Sequence, residues 1–158
     1  MSDRPKESVW EYPRPPAIER VDRHIRVVAG AHVIAQTNHP VRVLETSHPP
    51  VYYLPKDDVA MEFLEPSAHT TFCEYKGQAR YYSLVVDGRR QSNVAWYYPQ
   101  PSPGYEALTN HIAFYAWAAD EATVDGEQVT PQPGRFYGGW ITSEIEGPFK
   151  GEPETMGW

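Results

Sequence analysis

The chain has 158 residues, 41% of them apolar and 22% charged, proportions that fit one folded domain with its own core and argue against long disorder. Lys and Arg number 14 against 21 Asp and Glu, a formal charge of −7, so neither a nucleic-acid backbone nor an anionic membrane is expected as the main partner. The single cysteine, Cys73, excludes an internal disulfide and a multi-thiolate zinc site; with no apolar signal core behind Met1–Lys6 and no apolar run near membrane-spanning length, the expectation is a cytoplasmic protein.

Residues 1–23 read as an arm. Three prolines within Trp10–Pro16 favour an extended path, and Trp10 and Tyr12 are suited to pin it to the body. From His24 the pattern turns β. Two β-branched runs meeting at Gly30 predict a hairpin; Val41–Thr46 alternates and predicts a strand, as does Val51–Leu54. Met61–Pro66 fits either a strand or a helical turn, with Asp57 or Asp58 available as a cap. The strongest β signal runs from Thr70 to Tyr98, with a weak turn at Lys76-Gly77 and a primed-type hairpin turn at Asp87-Gly88. Pro101–Ile112 is the best helix candidate, and it is short, because 16 prolines and 11 glycines leave no room for long helices. Ile112–Trp117 returns to strand, and Ala122–Val129 predicts a second hairpin turning at Asp125-Gly126.

Beyond Pro131, glycine and proline alternate with Phe136, Tyr137, Trp140, Phe149 and Trp158. So many large rings predict an ordered arm that wraps the core or a partner subunit. The expected organisation is a single β-dominated domain: a core over residues 24–130, flanked by arms at 1–23 and 131–158.

Seven segments recur in a recognisable order: WEYPRPP (Trp10–Pro16), LETSHPPVYYLP (Leu44–Pro55), LEPS (Leu64–Ser67), CEYKGQARYY (Cys73–Tyr82), AWYYP (Ala95–Pro99), FYGGW (Phe136–Trp140) and GPFKGEPETMGW (Gly147–Trp158). In these the chain resembles, over essentially its whole length, the family catalogued as domain of unknown function 427, which also carries a nucleotidyltransferase-like label. The last segment departs from the family pattern, which has a more glycine-rich run before the closing tryptophan. The resemblance implies a mainly antiparallel β fold, with two sheets meeting like a tent, and a homodimer. It implies structure rather than chemistry.

The nucleotidyltransferase label finds no support in the residues. Such chemistry needs carboxylates converging on magnesium and a backbone cradle for phosphate, and the chain has neither a Gly-Ser segment leading to a spaced Asp-x-Asp pair nor a phosphate-binding loop. The six histidines, His24, His32, His39, His48, His69 and His111, are scattered without a metal-ligand spacing, so no metal and no cofactor are expected.

Three groups could carry catalysis. Cys73 and Lys76 flank Glu74-Tyr75 just before a turn, and a lysine near a cysteine can make the thiol a nucleophile; the alternative is a small buried hydrophobe. Glu45 closes the Val41–Val43 face and reads as a buried acid or an ordinary strand end. His69 could orient or bind, but on one strand it lies about 13 Å from Cys73 unless Thr70-Thr71 bends. The paired tyrosines 52–53, 81–82 and 97–98 each send one ring inward and one outward. With Trp96, rings such as Tyr53 and Tyr82 could wall a pocket for a planar or sugar-like small molecule, with Lys76 holding an anionic group; the alternative is core and dimer-interface packing. The functional expectation is therefore a tyrosine- and tryptophan-lined small-molecule pocket, binding or catalytic, against a non-enzymatic homodimeric interaction module.

Overall fold

The structure, a computed structural model, describes residues 4–134 and 136–151. It is mainly β and built from several antiparallel sheets. The strands are β1 (Glu7–Ser8), β2 (Ala17–Arg20), β3 (Ile25–Ala29), β4 (His32–Thr37), β5 (Val41–Leu44), β6 (Val51–Pro55), β7 (Leu64–Cys73), β8 (Gly77–Val86), β9 (Arg89–Tyr97), β10 (His111–Phe114), β11 (Glu121–Val124), β12 (Glu127–Gln128), β13 (Thr130–Pro131), β14 (Trp140–Ile141) and β15 (Ile145–Glu146). Among the described residues the only helical elements are single 3-10 turns, so none is long and apolar enough to cross a membrane.

Seven strands form one antiparallel sheet in the order β2-β5-β6-β10-β9-β8-β7, and four form another in the order β12-β11-β3-β4. The turns follow from local chemistry. Asp87-Gly88 and Asp125-Gly126 have positive φ at both positions, the geometry whose twist matches the flanking strands. The helix expected over Pro101–Ile112 is reduced to one 3-10 turn at Glu106–Leu108, and Ile112 belongs to β10. Met61–Phe63 is a 3-10 turn leading into β7, and neither it nor Lys56–Asp58 has a side-chain cap.

The larger sheet is covered on both faces. On one face Tyr52, Leu54, Leu84, Ile112 and Phe114 join Ile25, Val27, Ala122 and Val124 of the smaller sheet in the main core. On the other, Val41, Val43, Tyr53, Tyr81, Trp96, Tyr98, Tyr105 and Tyr115 form a second, aromatic core. In β6, therefore, the two tyrosines are both buried, on opposite faces, rather than one facing water.

The end segments complete this body. β2 pairs with β5 at the edge of the larger sheet, β1 runs parallel to β15, and β13 pairs with β14. Val9 and Tyr12 pack against Leu44 and Ile145, whereas Trp10 stays 43% exposed with its indole N–H donating to the Pro148 carbonyl. Trp140 is buried against Tyr52 and donates its indole N–H to the Phe114 carbonyl at 3.0 Å. Buried Glu144 lies 3.2 Å from both Arg4 and Arg23, and Glu7 pairs with Arg42 at 3.1 Å. A charge network thus ties the two chain ends to the sheets. The altered closing segment read from the sequence, Lys150–Trp158, lies outside the described residues beyond Gly151.

Candidate functional site

An open cleft of about 340 Å³ lies over the second core. Its floor comes from one face of the large sheet. Tyr53 on β6, Trp96 on β9 and Tyr81 on β8 point the same way, and Trp96 sits directly opposite Tyr81 across the β8–β9 ladder. Small Ala113 on β10 is the residue opposite Trp96 on its other side, which leaves room for the indole. The Trp96 indole N–H donates to the Tyr53 hydroxyl at 3.3 Å, and its ring meets Tyr115 at 4.7 Å. Edge-to-face and tilted contacts of this kind hold large rings in fixed positions.

The wall opposite comes from the chain after β13. Gly138 lies over Trp96: a Cβ built there would fall 2.2 Å from the indole ring. Only glycine lets the backbone approach so closely. The Tyr115 hydroxyl donates to the Phe136 carbonyl at 2.9 Å, fixing the same segment.

Of the residues singled out in the sequence, Glu45, Cys73, Lys76, Tyr53 and Trp96 all line this cleft. Cys73 ends β7 half-buried, and Lys76 follows it in the turn to β8. The Lys76 ammonium lies 5.9 Å from the centre of the Tyr98 ring, within cation–π range. Burial pulls the Lys76 amine down, but Tyr53, Cys73 and Glu45 around it, with a hydrogen bond to Cys73, outweigh burial and leave it above its ordinary value. It therefore stands in the cleft as a cation, not as a free amine. Burial pushes the hydroxyls of Tyr53 and Tyr98 up, so these rings present neutral O–H groups. Glu45 sits just past β5, 3.6 Å from Arg14 and 3.9 Å from His48.

Two of the sequence candidates lie elsewhere. Tyr82 faces the main core and stacks on Tyr97 at 5.0 Å; the β8 ring in the cleft is Tyr81. Adjacent strand residues face opposite sides, so choosing the wrong member of the pair moves the ring to the other face. His69 is on the exposed edge strand, packed on Tyr81 at 4.6 Å and outside the cleft lining. The irregularity in β7 falls between Pro66 and Thr70.

His48 is the functional group the sequence reading passed over. It lines the cleft, and its Nδ1 lies 3.2 Å from the Gln132 side-chain amide. Burial first, then the positive charges of Lys150, Arg14 and Lys76, hold its imidazole down to about 4. Among the described residues no three His, Cys, Asp or Glu side chains converge as metal ligands would.

The model of the family described as Domain of unknown function (DUF427) matches residues 17–126, which takes in β2 to β11 and with them Glu45, Cys73, Lys76 and Trp96. The chain belongs to the DUF427 family. The nucleotidyltransferase-like wording attached to DUF427 is part of the family's name only. The cleft residues Gln132, Phe136, Tyr137, Gly138 and Lys150 lie beyond the matched DUF427 span. No curated protein matches the chain.

Proposed function

We propose that the cleft binds a small, largely planar molecule carrying an anionic group. The observation that carries this reading is the half-buried Lys76 ammonium, 5.9 Å from the centre of the Tyr98 ring among aromatic walls, in a cleft whose size suits a small ligand. A flat apolar body gains by stacking on Trp96 and the tyrosines, and a carboxylate or similar anion gains a charge-assisted hydrogen bond from Lys76. Cys73 and Glu45, on the cleft lining with Lys76, are the nucleophile and base available to chemistry on a bound molecule.

The test is ligand-induced thermal stabilisation with three matched probes: benzoate, benzylammonium and benzyl alcohol. Anything that binds only the folded state raises the melting temperature. Benzoate should raise it and benzylammonium should not, and Lys76→Met should abolish the benzoate shift. Equal shifts from both ions, or an undiminished shift in Lys76→Met, would contradict the reading.

A second reading, a non-enzymatic module that pairs with its own copy, is favoured by one observation. Phe72 and Phe136 are 77% and 71% exposed on the rim of the same cleft, and exposed aromatics mark interaction surfaces. Sedimentation of the wild type beside Phe72→Ser and Phe136→Ser decides it: a dimer that the substitutions dissociate supports pairing, and a monomeric wild type removes it.

A further inference from the structure

We propose that His48 and Glu45 form a donor–acceptor pair that selects a hydroxyl group on the cleft's ligand, so that the preferred ligand class is a hydroxylated aromatic acid. The inference rests on the reading of the cleft as an anion site and deepens it.

Gln132 is buried beside His48. Its Oε1 accepts from the Gly139 N–H at 3.0 Å, while its Nε2 donates to the Lys150 carbonyl at 2.8 Å and faces His48 Nδ1 at 3.2 Å. A flipped amide would set its oxygen against the Lys150 carbonyl and its NH₂ against the Gly139 N–H, losing both bonds. The amide orientation is therefore fixed by its partners. Both Nε2 hydrogens are used, one of them on His48, so His48 Nδ1 must accept. A neutral imidazole that accepts at Nδ1 carries its proton on Nε2. Burial and the neighbouring Lys150, Arg14 and Lys76 keep that ring neutral, against the opposing pull of Glu45.

His48 Nε2 lies 3.9 Å from Glu45 Oε2. That distance is too long for a hydrogen bond and suits one bridging oxygen. The bridging atom must accept from His48 and donate to Glu45. A hydroxyl does both. An ether or a second carboxylate has no hydrogen for Glu45, and an ammonium has no lone pair for His48. His48 and Glu45 are half-buried, so water can bridge them in the free cleft; a bound ring covers them, and a ligand hydroxyl then takes the water's place where an analogue lacking it leaves both groups short of a partner.

The experiment compares binding of benzoate, its three monohydroxy isomers and their methoxy counterparts by calorimetry. In the wild-type protein at least one hydroxybenzoate should bind at least about tenfold tighter than benzoate and than its methoxy counterpart. In Glu45→Gln and in His48→Phe that preference, taken as the ratio of hydroxybenzoate to benzoate affinity within each variant, should fall to within about twofold. Benzoate binding with no hydroxyl preference, or with a preference the variants keep, overturns this inference and leaves the anion site standing. A wild-type protein that binds none of the probes removes both. Independently of any ligand, ¹⁵N spectra of the His48 ring in the free protein should show Nδ1 unprotonated at neutral pH; a protonated Nδ1 overturns the assignment.

Discussion

Single residues decide what the cleft can do. His48 shows how one side chain links recognition to stability. Its folded-state value near 4 lies below the ordinary 6.5, so the unfolded chain binds a proton in that window and the native protein does not. The contribution is therefore fully present above about pH 6.5 and is lost as pH falls toward 4. Between pH 7 and pH 5 this amounts to roughly 2 kcal/mol. Urea unfolding at both pH values should show the wild type losing about that much more stability than His48→Asn; equal losses would contradict the buried neutral ring. In the sequence His48 was one of six scattered histidines. The signal that distinguishes it is not local. Gln132 and Lys150, which fix its tautomer and its charge state, come from a distant part of the chain. Tyr81, by contrast, was legible. Counting outward from the two-residue turn at Asp87-Gly88 sets Tyr81 and Trp96 on one face of the sheet, and the irregularity between Tyr82 and Leu84 preserves that parity. Hairpin register, rather than the tyrosine pairs alone, names the ring that lines the cleft.

At the scale of elements, the β-hairpins and their turns are written in the sequence because Gly30, Asp87-Gly88 and Asp125-Gly126 supply positive φ where the chain must reverse. The helix over Pro101–Ile112 shrinks to a 3-10 turn because Ile112 and Ala113 are claimed by pairing with β6 and β9. Tertiary pairing there overrides the local pattern. The C-terminal segment was read as an arm for the core or for a partner, and its role depends on contacts that no local pattern encodes. Trp140 fills the main core and Glu144 neutralises Arg4 and Arg23. Trp140→Ala should cost about 3–5 kcal/mol through the cavity it leaves. Glu144→Ala should cost less, about 1–3 kcal/mol, because Arg4 keeps Asp125 and Glu127 and Arg23 keeps Glu7 as partners. Truncation after Thr130 removes both and should leave a chain that does not melt cooperatively; calorimetry of the three variants checks this. A truncated chain that melts like the full one would mean that the body folds without its C-terminal segment.

The whole molecule has an order that explains where its site lies. One large sheet carries two cores, a mixed aliphatic and aromatic one under the smaller sheet and a tyrosine-rich one under the end segments. The first is conventional packing. The second is covered by chain that is mostly irregular, and a cleft remains where Gly138 crosses Trp96 and where Lys76 meets Tyr98. Rigid strands hold the rings, and turns and loops bring the charged groups, which is how scaffolds commonly divide these tasks. Because Cys73 is the only thiol in the chain and lines the cleft, its alkylation reads that place and no other. The most direct test of the account is therefore the rate at which iodoacetamide modifies Cys73 in the native protein, with and without benzoate at about tenfold its calorimetric Kd. The account predicts a rate at least about tenfold slower with benzoate, the factor set by the fraction of cleft occupied, and no slowing in Lys76→Met. Benzoate that stabilises the protein yet leaves the Cys73 rate unchanged would place the anion elsewhere and contradict the cleft as the binding site.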